Sequence, residues 1–411
     1  VHAFPRPQHG RIAPDVRLIP TATLALGAAI YEKTAHASST NTCMTPLIRK
    51  LLGMNWLLVG TTLALAVIGV VAVYSASAFR TEDYWHKQAV WVGFGVVVFI
   101  VTSLIDYRWV KWVALPMYLA SVVAVMLTYT SLGEEHGGAK CWLRLPGIGT
   151  FQPSQMAVIA GVLTLGLFLS QFRRIHPMLK LAFTGAIVGG PMLLILKQPD
   201  FGMTMVWMPI ILAMLFLGGM PKRYLIALIL MGIAILPVLL NFVLKPYQRA
   251  RIVAFIDPDI DPLNAGWAIN QSLIAIGSGG FSGKGFMAAN TQVEQGFIPG
   301  TTVHTDYIFT AIGEQFGFMG GVVIISLFAI LLLSMLLAAH QASDQLGTLI
   351  TVGFAAQIFF HVYQNVGMTI ALMPITGLPL PLISYGGTFL VMVMFGLGLV
   401  NSVWIHRKAL P

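Results

Sequence analysis

The chain has 411 residues, 57% hydrophobic and only 9% charged, with a mean hydropathy of +0.80. That balance excludes a soluble globular domain, in which about a quarter of residues are charged, and defines an integral membrane protein. The net charge of +9 therefore reads as membrane topology rather than as affinity for nucleic acid.

Residues 1–43 place Arg6, Arg11 and Arg17 ahead of LIPTATLALGAAI and TAHASS, a loose likeness of a signal peptide. Cleavage there would invert the charge balance of every later loop, so the segment reads as an extension, disordered or not native. The natural start is then Met44, and 44–411 form one membrane domain. Apolar windows predict ten helices, at roughly 55–75, 88–105, 111–130, 155–171, 179–196, 202–220, 223–243, 316–338, 346–366 and 384–405. No run of alternating polarity marks a membrane-spanning strand. The expected fold is all-α, a polytopic bundle with one long loop, 244–315.

With the segment before the first helix in the cytoplasm, the inner loops hold Arg49, Lys50, Arg108, Lys111, Arg173, Arg174, Lys180, Lys222, Arg223, Arg407 and Lys408, eleven in all. The short outer loops hold five, Arg80, Lys87, Lys140, Arg144 and Lys197. The positive-inside rule puts both termini in the cytoplasm and the long loop outside the cytoplasmic (inner) membrane.

Cys43 and Cys141 have neither metal-ligand nor CxxC spacing and receive no chemical role. All 15 acidic residues fall outside the expected spans, which disfavours an ion-coupled carrier, since such proteins place ionisable groups at membrane depth. His361 does fall at that depth. With Gln357, Gln364 and Asn365 it makes a polar stripe at spacings of three and four, read as interhelical hydrogen bonding.

Six of the acids, Asp257, Asp259, Asp261, Glu294, Asp306 and Glu314, lie in the long loop beside Lys245, Arg249, Arg251 and Lys284. A connection of that length in a compact bundle is usually functional. Its run WAINQSLIAIG suits a short amphipathic helix. The stretch FIDPDIDPLNAGW begins like a calcium loop but has Pro262 where the turn glycine belongs and Ala268 where the bidentate glutamate belongs. Asp-Pro pairs also initiate turns, which accounts for two of the three aspartates. GSGGFSGKG fails as a Walker loop at Ser278 and Gly285. Its amides and Lys284 still suit an anion such as a pyrophosphate, and a flexible surface turn satisfies the same spacing.

The run YQRARIVAFIDPDIDPLNAGWAINQSLIAIGSGGFSGKGF resembles the large extracellular loop of the SEDS family (shape, elongation, division and sporulation), in its RodA-type branch. The resemblance extends over nearly the whole chain from Met44 through YSAS, GAKCW, FQPSQ, QPDFG, HTDYIF and TGLPLPLISYGG. It implies ten helices with both termini inside and a peptidoglycan glycosyltransferase that polymerises lipid II during cell elongation. The implied partners are a class B penicillin-binding protein acting as transpeptidase and other membrane proteins of the elongation complex. The family's essential aspartate maps onto Asp261.

One essential carboxylate is chemically reasonable here. Undecaprenyl pyrophosphate is already a good leaving group, so the protein need only deprotonate the acceptor's 4-hydroxyl and neutralise the pyrophosphate. Asp261 is assigned as the base. Arg249, Arg251 and Lys284 are assigned to the charge, alone or with a divalent cation such as Mg2+ or Mn2+; no soluble cofactor is implied. His304, Asp306 and Glu314 shape the substrate cavity, orient substrate, or merely cap the eighth helix.

The sequence departs from the family at several positions. Asn264 replaces a glycine, expected to be tolerated in a left-handed conformation, and Trp267 replaces tyrosine. Gln155 and Gln315 stand where glutamates are usual, and PGTTVHTD is longer than the common form. Two other readings stay open: a carrier that flips the lipid-linked precursor, and a non-catalytic scaffold for the transpeptidase.

Overall fold

The computed structural model describes residues 45–78, 83–136, 138–145, 149–261, 264–298 and 302–407. The expected extension and the start at Met44 lie outside them. The chain divides after Leu52: a short helix, α1 (Pro46–Leu52), belongs to the N-terminal unit, and Gly53 onward forms the bundle.

The bundle contains α2 (Trp56–Ser77), α3 (Tyr84–Leu104), α4 (Val110–Leu127), α5 (Pro153–Gln171), α6 (Pro177–Lys197), α7 (Phe201–Leu217) and α8 (Lys222–Val238). Beyond the long loop follow α11 (Ile308–Gln341), α12 (Gln345–Thr369) and α13 (Gly387–Ile405), the loop itself carrying α9 (Pro246–Ile256) and α10 (Ala265–Gly279). Every expected span is helical. Among the described residues nine helices are long and apolar enough to cross a membrane, and α7, at 17 residues, is an apolar helix just short of that length. The chain is a multi-pass membrane protein.

Local chemistry sets the helix starts. The Asn55 side chain accepts the Leu58 amide at 3.1 Å to open α2, and the Asp344 carboxylate accepts the Gly347 amide at 2.9 Å to open α12. Helices α5, α12 and α13 are mostly buried and form the centre, whereas α8 buries only Leu225 among its residues. In a bilayer, such a face meets lipid tails without penalty.

Three features depart from the sequence reading. A small antiparallel sheet, β1 (Gly133–His136), β2 (Ala139–Leu145) and β3 (Gly149–Phe151), joins α4 to α5, with Leu143 opposite Phe151. Its strands are too short to register in an apolar window. Second, α11 begins at Ile308, eight residues before its expected start, and is broken at Gly317 (φ 63°), so the expected span corresponds to the part beyond the break. Glu314 consequently sits inside a helix, fully buried, rather than in the loop.

Third, the segment between α12 and α13, TGLPLPLISYGG, is not a surface connection. Leu378, Leu380, Leu382 and Ile383 are buried, so its extended backbone runs through protein. The polar stripe of α12 supplies the donors: Gln364 Nε2 to Pro374 O (2.8 Å), Asn365 Nδ2 to Leu378 O (2.8 Å), and His361 Nδ1 beside Pro379 O (3.2 Å). The expected hydrogen-bonding role of this stripe is thus realised, although its acceptors lie on a non-helical chain. Replacing Asn365 by Leu should cost about 1–3 kcal/mol for each buried carbonyl left without a donor. Thermal unfolding of the purified protein in detergent would show this as a lowered midpoint.

Candidate active site

The long loop is anchored first through α9. The Tyr247 hydroxyl and Gln248 Nε2 both donate to Pro199 O, at 3.1 and 2.8 Å, tying α9 to the turn between α6 and α7. Arg249 is spent locally: Nε donates to Leu244 O at 3.1 Å and Nη2 to Asn241 O, closing the π-helical turn Leu239–Val243 that ends α8. Arg251, one turn beyond Gln248, is half-buried with its guanidinium 5.6 Å from the Tyr247 ring centroid.

The aspartate stretch links α9 to α10, and its members differ. Asp257 accepts the Asp259 amide at 3.1 Å, the turn role expected of it, and Asp259 is exposed. Asp261 is partly exposed and closes a tight turn, with Oδ1 accepting Asn264 Nδ2 at 2.9 Å and Oδ2 accepting the Ala265 amide at 3.2 Å. Gly266 makes the turn possible, because a Cβ there would lie 2.1 Å from Pro258 O and 2.6 Å from Asp261 O. Asn264 corrects the sequence reading. Its φ is −124°, so no left-handed residue is needed, and its amide instead orients the Asp261 carboxylate.

A second carboxylate group forms where several motifs meet. Asp200 of QPDFG caps α7, accepting the Met203 amide at 3.0 Å, and Gln152 of FQPSQ donates to its other oxygen at 2.8 Å. Asp306 of HTDYIF lies against Gly377 of TGLPLPLISYGG, whose Cβ, were it present, would be 3.3 Å from Asp306 Oδ2. Both carboxylates lie outside the spans. Burial pushes each up to about 6, while at Asp306 the Arg251 guanidinium and the Thr305 hydroxyl oppose that rise and Asp200 adds to it. Arg251 therefore serves Asp306. Asp200 received no role from the sequence beyond its place in the QPDFG motif. Its one further signal was the glutamine-rich motif that bonds to it.

Lys284 and Glu314 form a third group. Lys284 Nζ lies 2.7 Å from Glu314 Oε1, and the buried Glu314 also accepts the Gln292 and Val293 amides at 2.6 and 3.3 Å. The glycine-rich segment is not an open anion cradle. Lys284 N donates to Glu314 O and Gly285 N to Gln315 O, both at 3.0 Å, and Phe318 N returns a bond to Gly280 O at 2.9 Å. Glycine is required because the two backbones touch: a Cβ on Gly283 would meet Gln315 O at 2.1 Å. The anion reading of these amides is corrected, since their hydrogens are already committed to carbonyls. His304 is buried in an aromatic stack, 4.1 Å from Tyr84 and 5.5 Å from Tyr385 between ring centroids.

The seven candidate residues thus fall into separate places. Arg251 and Asp306 come together with Asp200, and Lys284 pairs with Glu314. Arg249 caps α8, His304 packs between tyrosines, and Asp261 stands at the junction of α9 and α10, two helices that pack on each other. Among the described residues no hydrogen bond or ion pair joins Asp261 to the other two carboxylate groups.

A polytopic helical bundle with one long structured loop defines a multi-pass membrane protein, and comparison with known proteins is specific about which. Residues 55–409 match the model of the cell cycle protein family of FtsW, RodA and SpoVE, and the chain belongs to that family. A Treponema pallidum protein named peptidoglycan glycosyltransferase RodA is 34% identical over an alignment covering 87% of this chain and 98% of its own. The Escherichia coli peptidoglycan glycosyltransferase MrdB is also 34% identical, with 85% of this chain and 92% of its own covered. A solved peptidoglycan synthase complex that coordinates polymerization and crosslinking superposes with a TM-score of 0.72 at 29% identity, covering 85% of this chain and 97% of its own. The Thermus thermophilus rod shape determining protein RodA superposes at 0.64 and 28% identity, covering 87% and 98%.

Removing one member of the Lys284–Glu314 pair leaves a buried charge uncompensated, a loss of about 3–5 kcal/mol. Lys284→Met should therefore lower the unfolding midpoint markedly, and Glu314→Gln in the same chain should restore much of the loss. For Asp200 and Asp306, a folded-state value raised from the usual 3.8 to about 6 means that the folded protein takes up protons between those pH values. Their contribution to stability is full below the lower value and is lost as pH rises through the upper one. Wild type should gain thermal stability as pH is lowered from 7 to 5, and Asp200→Asn should flatten that rise.

Proposed function

We propose that the chain is a peptidoglycan glycosyltransferase that polymerises lipid II and releases undecaprenyl pyrophosphate, in cell elongation and shape maintenance. The observation that carries the chemistry is the Asp261 turn: a partly exposed carboxylate held by Asn264 and Ala265, with its remaining lone pairs open, at the junction of the two loop helices. Such a group can accept the proton of an acceptor hydroxyl as it attacks the anomeric carbon of the donor. The membrane location suits a donor whose polyprenyl chain stays in lipid while its sugars reach the loop.

Arg251 balances Asp306, and Asp306 and Asp200 are placed to orient sugar hydroxyls beside it. Arg249 and Lys284 support the loop from its two ends, and Glu314 and His304 hold its frame. Asp261 is also the side chain that would hold a divalent cation, Mg2+ or Mn2+. Among the described residues no three His, Cys, Asp or Glu side chains converge as a metal cage. That donor set fits a magnesium-type ion held by one or two carboxylates together with substrate phosphates. When bound, the ion would neutralise pyrophosphate charge.

The distribution of Lys and Arg supports cytoplasmic termini with the loop on the outer face of the inner membrane. The partner is a class B penicillin-binding protein acting as transpeptidase, a reading supported by the likeness to a complex that joins polymerization to crosslinking. Other elongation proteins of the membrane complete the assembly.

The test uses the protein purified with its transpeptidase partner, that partner blocked, and lipid II supplied in detergent. Wild type should form glycan strands, and Asp261→Ala should lose about 100- to 10,000-fold in rate, the range a general base contributes. Equal product from the variant would remove Asp261 from the chemistry. Absence of strands from wild type would move the protein to the carrier or scaffold reading.

A further inference from the structure

Beside the active-site loop lies a cavity of about 420 Å³ that no step above uses. Its walls are apolar, Leu193 and Leu196 of α6 facing Leu239 at the end of α8. Two exposed cations line it as well: Lys197 in the last turn of α6 and Lys245 at the start of α9. Among the described residues neither has an ion-pair partner, in contrast to Lys284, Arg108 and Arg144. Beyond Leu225, near its start, α8 buries no residue up to Val238, so the bilayer has lateral access to this groove.

We propose that this groove seats the prenyl pyrophosphate part of the lipid-linked donor, with Lys197 and Lys245 on the two phosphates and the prenyl chain along Leu193, Leu196 and Leu239. The assignment rests on the glycosyltransferase reading and adds the donor's place to it. Charge argues for this occupant over an ordinary phospholipid. A diphosphate carries charge on both phosphates and matches two ammonium groups, whereas a phosphodiester headgroup such as phosphatidylglycerol carries one negative charge and leaves a cation over. Position argues the same way. The Pro199 and Gln248 residues that also line the groove are bonded to each other at 2.8 Å. Pro199 adjoins Asp200, and Gln248 lies one helical turn before Arg251. A sugar attached to a pyrophosphate held here extends past that contact toward Asp200, Arg251 and Asp306.

The inference is tested by direct binding of undecaprenyl pyrophosphate to the full chain in detergent, with phosphatidylglycerol as competitor. The Lys197→Ala/Lys245→Ala chain should bind about tenfold or more weakly than wild type, and Lys197→Arg/Lys245→Arg should stay within about twofold, since the arginines keep the charge. Equimolar phosphatidylglycerol should not displace the ligand. In the polymerisation assay the alanine pair should raise KM for lipid II with little change in kcat. Three results would overturn the assignment: unchanged affinity in the alanine pair, equal loss in the arginine pair, or displacement by phosphatidylglycerol. Binding requires no turnover, so a chain that polymerises but binds without the lysines defeats this inference alone. A wild type that binds through them but makes no strands defeats the enzymatic reading instead.

Discussion

Inside a bilayer, a backbone that is neither helix nor closed sheet must find its hydrogen-bond partners within the protein, and the extended segment between α12 and α13 puts this fold under that constraint. Asn365, Gln364 and His361 answer it from one face of α12. The same exchange fixes the start of α11 from outside. Three consecutive carbonyls there are held: His304 O by the Tyr385 amide at 2.8 Å, Thr305 O by the Ser384 hydroxyl at 2.5 Å, and Asp306 O by Asn365 Nδ2 at 2.9 Å. The position of the Asp306 carboxylate is thus a by-product of satisfying a buried chain. The Asn365 amide, which serves both Asp306 O and Leu378 O, is the hinge of that arrangement.

On the other side of α11, the glycine-rich segment after α10 does comparable work largely through its backbone. Backbone meets backbone across Gly283 and Gly317, and the buried Glu314 collects Lys284 and two amides of the following turn. One end of the loop is therefore rigid, anchored to a membrane helix by charge and by close approach. The other end is pinned by Tyr247 and Gln248 to Pro199. Between these anchors the Asp261 turn is held by short-range bonds to its own chain. A carboxylate in such a place keeps its position without the bundle having to move.

The bundle was legible in the sequence because its signal is local: about twenty apolar residues must appear wherever a helix crosses. Asp261 was singled out only through the resemblance of DPLNAGW to a family motif, since DxDxD by itself pointed to a calcium loop that Pro262 and Ala268 deny, and what the structure adds is its place in a local turn. What remained hidden depended on distant partners. The amides of the glycine-rich segment look free in sequence, and their acceptors lie some thirty residues further on, at Glu314 and Gln315. Asp200 caps α7, and its further surroundings required Gln152, Arg251 and Asp306 to be brought near it from other parts of the chain. The sheet at Gly133–Phe151 has strands of three to seven residues, below what periodicity can register.

The two glutamines that depart from the family pattern make sense as charge economy. Gln155 is buried and donates to Gln152 Oε1 at 2.8 Å, and Gln152 donates in turn to Asp200 at 2.8 Å, so two amides form a one-way chain of donors ending on a carboxylate. A glutamate at 155 would turn the donor at the head of that chain into an acceptor. It would also add a third acid to a neighbourhood whose cation is Arg251, raising Asp200 and Asp306 further and reducing the fraction ionised near neutrality. Gln315 is buried beside Glu314, whose charge is already matched by Lys284. A second carboxylate there would be buried without a counterion, at a cost of several kcal/mol. Each amide keeps the hydrogen-bonding reach of a glutamate while adding no further acid beside the existing carboxylates.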